Sequence, residues 1–216
     1  MSKHIFWIAS YPKSGNTLIR AILASLFFSK DGKFDFDIIK NISQFEMIQR
    51  LNIVKDINES EFLKLDDLKI LSKYWQTVQK KENLNVKGDF LFLKTHSCLV
   101  SIKNNYFTSE NLTRGYIYIV RDPRDICISW AKHAGLSIDD SVDFLTNFFS
   151  CIEWTEGNSS SKLPKKIVPL NFLSSWDEHI KSWTNNKWSV PKLIIKYEDL
   201  IEDKKDVVHN IKNFFK

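Results

Sequence analysis

Four short runs of the chain are apolar almost without interruption and end in polar residues: 4–10 (HIFWIAS), 90–96 (FLFLKTH), 116–122 (YIYIVRD) and 192–199 (KLIIKYED). Their β-branched and aromatic content marks them as strands. Near-continuous hydrophobicity marks strands buried on both faces, as in a parallel sheet. Between them the pattern turns helical. Residues 17–28 are apolar almost all round, which predicts a deeply buried helix directly after the first strand. Asn58 and Glu61 have the spacing of a helix start, and Phe62, Leu65, Leu68, Trp75 and Val78 then keep to one helical stripe. Ser174 is expected to open another helix, with Trp176, Ile180 and Trp183 on one face, and 206–215 reads as a last one. Strands alternating with helices predict an α/β domain with right-handed crossovers. The polar stretch 155–166, with Gly157, Asn158 and three serines, reads as a surface loop and not a domain boundary, so 1–216 is expected to be a single domain.

Composition narrows the class. A chain of 216 residues suits one large domain, and 43% hydrophobic with 26% charged residues excludes a disordered tail, a fibre or a collagen-like repeat. No apolar run approaches the roughly 20 residues needed to cross a bilayer. The first ten residues carry no small-residue cleavage site. A cytoplasmic protein without stable membrane insertion is therefore expected. Cys98, Cys127 and Cys151 lie too far apart for a metal knuckle or redox pair and are odd in number, so they read as buried thiols. A net charge of +5 suits an acidic small molecule and is too mild to imply a nucleic-acid partner. Only five of the 31 basic residues are Arg, and two, Arg121 and Arg124, fall in the segment Arg121-Asp122-Pro123-Arg124-Asp125. An Arg in a Lys-rich chain marks a place for a planar fork, or a pairing with the neighbouring Asp.

In a parallel sheet, ligands bind beyond the carboxyl ends of the strands, so the four polar tips should share one crevice. The first strand runs through Ser10-Tyr11-Pro12-Lys13-Ser14-Gly15-Asn16-Thr17 into the apolar helix, whose free N–H groups and dipole favour an anion. Against the nucleotide P-loop G-x-x-x-x-G-K-[ST], Gly15 and Thr17 match, whereas Ser10 stands at the first Gly and Asn16 at the Lys. The lysine has moved to Lys13.

This loop resembles the 5′-phosphosulfate loop of the cytosolic-type sulfotransferases, which use 3′-phosphoadenosine-5′-phosphosulfate (PAPS). The segment from Tyr118 to Ser129, with Arg121 eight residues before Ser129, is similar to the family's 3′-phosphate segment. Leu93-Lys94-Thr95-His96 resembles the strand end that bears the family's catalytic His, and the Trp176–Trp183 helix followed by Lys196-Tyr197-Glu198-Asp199 resembles its late helix and strand. The resemblance implies a P-loop-like three-layer sandwich, a central parallel sheet flanked by helices, with 30–88 as a mainly helical cap over the acceptor. It implies that Lys13 meets the oxygen bridging phosphate and sulfate, and that Ser14, Gly15, Asn16 and Thr17 cradle the 5′-phosphate. Arg121 and Ser129 would hold the 3′-phosphate, and Tyr197 would lie near the adenine. His96 would act as general base toward a hydroxyl or amine of a small-molecule acceptor, a role suited to an imidazole that titrates near neutrality. Lys94 would stabilise the transferring group or face solvent. No metal is expected, because a sulfonate carries less charge than a terminal phosphate and needs chiefly positioning and neutralisation.

Two departures qualify this. Leu18 stands where the family has a Trp that stacks on adenine, and the family's late basic, glycine-containing loop over the 3′-phosphate has no counterpart before Lys216. Two alternatives stay open: a P-loop kinase with Asp122 or Asp125 on Mg²⁺, and a truncated, non-catalytic nucleotide-binding remnant. No dimerisation segment is visible.

Overall fold

Runs that are apolar on both faces need cover on both, and the computed structural model supplies it. It describes residues 3–52, 54, 57–62, 64–153 and 170–216. The chain passes from β1 (Ile5–Ser10) through α1 (Asn16–Phe27) and β2 (Ser43–Gln44) into five one-turn helices. These are α2 (Ile48–Leu51), α3 (Glu59–Phe62), α4 (Leu68–Leu71), α5 (Trp75–Val78) and α6 (Lys81–Leu84). There follow β3 (Leu91–Thr95), a hairpin of β4 (Ser101–Ile102) and β5 (Asn105–Tyr106), β6 (Thr113–Val120), α7 (Pro123–Ala134) and α8 (Ile138–Thr146). The last elements are β7 (Cys151–Glu153), β8 (Leu170–Phe172), α9 (Trp176–Thr184), β9 (Lys192–Lys196), α10 (Tyr197–Glu202) and α11 (Lys204–Phe214).

Five strands form one sheet in the order β2-β3-β1-β6-β9, and every neighbouring pair is parallel. Alternate side chains divide between two cores. Trp7, Leu93, Tyr116 and Tyr118 point to one face, where Leu51, Leu71, Trp75 and Val78 from the one-turn helices and Trp183 from α9 cover them. Phe6, Ile8, Phe92, Ile117 and Ile119 point to the other, beneath Ile19 and Leu23 of α1, Leu200 of α10, and Val207 and Ile211 of α11. The result is a three-layer α/β sandwich of P-loop-like form. All four expected strands are present, although β6 begins three residues ahead of its apolar run and β9 gives way to α10 at Tyr197.

Some expectations are corrected. The helix after β1 is buried on one face only: Ile19, Leu23 and Ala24 are covered, whereas Leu26, Phe27 and Phe28 are each more than a third exposed. Only one face meets the sheet, and the last turn is covered just in part, by edge contacts of Phe27 with Phe90, Phe92 and Phe215. The stripe from Phe62 to Val78 is not one helix. Asn58 does cap the first turn by accepting from the Glu61 N–H at 2.9 Å. Asp67 then starts a fresh helix by accepting from the Lys69 N–H, and a 3₁₀ turn over Ser72–Tyr74 precedes α5. Ser174 takes a left-handed conformation (φ 61°), so the cap position of α9 falls to Ser175. Cys98 and Cys127 are buried and Cys151 is partly exposed. The stretch 155–166 lies outside the described residues. Among the described residues no helix is long and apolar enough to cross a membrane.

Gly115 stands opposite Phe6 in the sheet, where there is no room for a side chain. A Cβ there would stand 2.8 Å from the Phe6 ring, 3.0 Å from the Pro191 carbonyl and 3.2 Å from Phe214. Gly115→Ala is expected to cost about 1–3 kcal/mol of stability by overpacking, measured by urea denaturation; a change below about 0.5 kcal/mol would contradict this packing.

Candidate functional site

The connection from β1 to α1 is tight, and its backbone leaves the usual regions twice. Lys13 has φ 66° and Gly15 φ 93°, both left-handed, and α1 begins at once with Asn16. A helix that starts this abruptly presents unpaired N–H groups at its first turn. Asn16 faces inward: its amide donates to the Ile8 carbonyl and to Ser10 Oγ, both at 3.2 Å, pinning the loop to the strand it came from. Ser14 is 1% exposed, and its Oγ finds no partner within the protein. Gly15 is required twice over, by its φ and by Tyr197, whose ring would be 2.6 Å from an added Cβ.

Arg121 follows β6, the neighbour of β1. Its Nη1 donates to the Lys13 carbonyl at 2.8 Å, and its guanidinium lies 4.1 Å from the centre of the Tyr197 ring. Tyr197 is in turn the first residue after β9, the next strand along. Gly15, Tyr197 and Arg121 thus form a stack fixed by three adjacent strand ends. The Arg121 Nε is buried and unpartnered within the protein, and the Asp125 carboxylate is 3.8 Å from Nη2. Asp122 is engaged locally: it caps α7 by accepting from the Arg124 N–H, and it pairs with the Arg124 guanidinium. With Pro123 at the first helical turn and Gly135 ending the helix in a left-handed conformation, α7 has clear limits, and it carries Ser129 into the same cleft as Arg121.

On the other side of β1, β3 delivers Lys94 and, just past its end, His96. The His96 Nδ1 lies 2.7 Å from the Ser10 carbonyl. A carbonyl can only accept, so Nδ1 carries the proton and Nε2 is the basic nitrogen. Burial, together with the Lys94 charge, holds the His96 pKa well below the usual imidazole value, so the ring is neutral. Burial also lowers the Lys94 pKa to about 8.

These groups line one cleft of ≈ 710 Å³ that contains Lys13, Gly15, Asn16, Thr17, Lys94, His96, Arg121, Ser129 and Tyr197. Ser14 lies beneath its floor, buried, and no Asp or Glu is among the described lining residues. The cleft also holds residues that sequence reasoning passed over. Arg20, one turn into α1 from Thr17, lines it while donating to the Ile42 and Ile39 carbonyls at 3.0 and 3.3 Å. Trp130, stacked on Phe144 at 4.9 Å, and His133 follow Ser129 along α7. Helical spacing from Thr17 and from Ser129 was the available signal for Arg20 and His133, whereas Trp130, next to Ser129, carried none. His179 is fully buried, with Nε2 2.9 Å from the His96 carbonyl and Nδ1 2.8 Å from the Tyr118 hydroxyl. It supports the His96 segment from within.

Comparison with known proteins bears on the fold and the family. The model of the sulfotransferase domain matches residues 3–216. The luciferin sulfotransferase of Photinus pyralis is 24% identical over 208 residues, covering 96% of this chain and 50% of that protein. Sulfotransferase 1B1 of Canis lupus familiaris is 25% identical over 207 residues, covering 96% and 57%. The chain thus spans about half the length of the curated relatives it matches. Among solved structures, mouse sulfotransferase SULT7A1 complexed with PAP superposes with a TM-score of 0.53 at 15% identity, over 100% of this chain and 59% of that one. Retinol dehydratase in complex with androsterone and inactive cofactor PAP gives a TM-score of 0.53 at 15% identity, over 100% and 60%. The family match over residues 3–216 shows that the chain belongs to the sulfotransferase-domain family.

Proposed function

We propose that the protein transfers a sulfuryl group from PAPS to a hydroxyl or amine of a small-molecule acceptor by in-line displacement, with His96 as general base. The observation that carries this reading is the Nδ1–H···O=C bond from His96 to Ser10, which leaves a neutral ring with its basic nitrogen at Nε2 in the cleft that also holds Lys13 and Arg121. An acceptor hydroxyl must lose its proton as it attacks, and an imidazole in this tautomer can take it.

The residues present suit the donor. Ser14 Oγ and Arg121 Nε are buried polar atoms without a protein partner, and both can donate to an anion. Lys13, Ser14, Gly15, Asn16 and Thr17 would hold the 5′-phosphate end, and Arg121 with Ser129 the 3′-phosphate. Tyr197, already stacked under Arg121, would flank the adenine. When bound, PAPS supplies an activated sulfuryl group. Lys13 and Lys94 would neutralise charge growing on the leaving oxygens, with no metal called for. Segment 30–88 would cover the acceptor. The PAP recorded in the solved relatives is consistent with this donor. A P-loop kinase is disfavoured by Asn16, whose amide is bonded to the strand, and by the local pairing of Asp122.

Calorimetry is expected to find adenosine 3′,5′-bisphosphate bound without Mg²⁺ and more tightly than ATP; a metal-dependent preference for ATP would overturn the reading. Arg121→Lys removes the fork and its bond to the Lys13 carbonyl, and should weaken bisphosphate binding about 10- to 100-fold, at about 1.5–3 kcal/mol for hydrogen bonds to a charged group. His96→Ala should lower kcat about 10²- to 10⁴-fold in a radiolabelled-sulfate assay while bisphosphate affinity persists; full activity would remove His96 from the mechanism. Because the His96 pKa is depressed, its base form persists on acidification, and the rate should stay flat from about pH 7 to 6, in contrast to the fall expected of an ordinary imidazole. On the alkaline side it should fall as Lys94 loses its proton near pH 8.

A further inference from the structure

Gln44 lies opposite Lys94 in the parallel register of β2 and β3, and the Phe45 N–H donates to the Lys94 carbonyl at 2.8 Å. Glu46 therefore comes just past the end of β2, as His96 comes just past the end of β3. Glu46 is 4% exposed, an expensive place for a carboxylate unless it is well bonded. Its bonds converge on the His96 segment. The Ser97 N–H donates to Thr95 Oγ1 at 2.8 Å, so the Thr95 hydroxyl proton is turned toward Glu46 Oε1, to which it is bonded. The Ser97 hydroxyl donates to the same oxygen at 2.7 Å, and the Gln44 amide donates to Oε2. One carboxylate oxygen thus holds the residues on either side of His96.

We propose that Glu46 is the positioning residue of this site: bonded to the residues on either side of His96, it fixes the backbone that presents the imidazole to the cleft. The proposal rests on the sulfuryl-transfer reading for its effect on rate, whereas its effect on Lys94 is independent of that reading. The charged and titratable groups around the pair are few. Lys94 feels Glu46, which raises its pKa, and Arg20, which lowers it; His96 is adjacent. Glu46 feels Lys94, and Arg50 feels Glu46. Burial raises the Glu46 pKa, and the Thr95 and Ser97 hydroxyls and the Lys94 charge oppose that rise.

Glu46→Gln keeps the shape but removes the charge and replaces one carboxylate oxygen by an NH2 group, so the Thr95 and Ser97 hydroxyls on one oxygen and the Gln44 amide on the other can no longer all find an acceptor. In the full chain it should retain adenosine 3′,5′-bisphosphate affinity within about twofold, because Lys13 and Arg121 follow β1 and β6, with β3 between them and the end of β2, while kcat falls about 10- to 100-fold, the scale of a small misplacement of a reacting group. With lysine side chains labelled for NMR, the Lys94 titration should move to lower pH than in the parent. An unchanged Lys94 titration, or a loss of rate matched by an equal loss of bisphosphate affinity, would overturn the proposal. Should Glu46→Gln fail to fold, Ser97→Ala removes one tether alone and should lower kcat with bisphosphate binding intact; an unchanged kcat there would overturn it too. If the parent chain transfers no sulfuryl group to any acceptor, the functional reading fails, and the Lys94 titration still decides the role of Glu46.

Discussion

The hydrogen bond from the Arg121 guanidinium to the Lys13 carbonyl is the constraint on which the site depends. A non-glycine residue in the left-handed region costs of order 1–3 kcal/mol and persists only where its surroundings over-determine it. Here they do. The carbonyl of the strained residue is held by a charged donor from the adjacent strand, the donor rests on the Tyr197 ring, and that ring closes against the bare Cα of Gly15. Two cationic segments more than a hundred residues apart therefore behave as one unit. Their separation is set by adjacent strand ends and by a guanidinium braced on both sides, which suits recognition of a ligand charged at both ends.

The His96 side of the cleft is built on the opposite principle. His96 is held by groups that never reach the cleft themselves: the Ser10 carbonyl on its ring, His179 on its carbonyl, and Glu46 on its neighbours. These come from β1, α9 and the end of β2, so three elements of different sequence distance agree on one imidazole. A ring constrained in this way has lost its rotameric freedom within the fold itself, which is the preorganisation that the proposed role of His96 requires.

Much of this was legible in the chain itself, for local reasons. The four strands announce themselves because burial on both faces demands continuous apolar runs, and the loop and the Arg121 segment follow immediately from strand ends. β2 was not legible. Ser43-Gln44 carries no hydrophobic signature and is a strand only because β3 offers an edge to pair with. Everything delivered through that edge, Glu46 above all, was hidden with it. The break in the 62–78 stripe had a readable cause in the capping residue Asp67, but a shared apolar face masked it, since Leu65, Trp75 and Val78 reach the core in either arrangement. The Tyr197 stack on Arg121 arises from the adjacency of β6 and β9, which no local pattern encodes.

The central position of β1 has a cost during synthesis. Ile5 pairs with Leu91, and Ile8 with Ile117, so the most apolar strand of the sheet must wait for both partners to be translated. At about 5–20 residues per second that wait is roughly 5–20 s, during which a nascent chain exposes Phe6, Trp7 and Ile8 unpaired. Pairing across so long a stretch of sequence slows folding and leaves this strand the segment most exposed to misassociation while it waits.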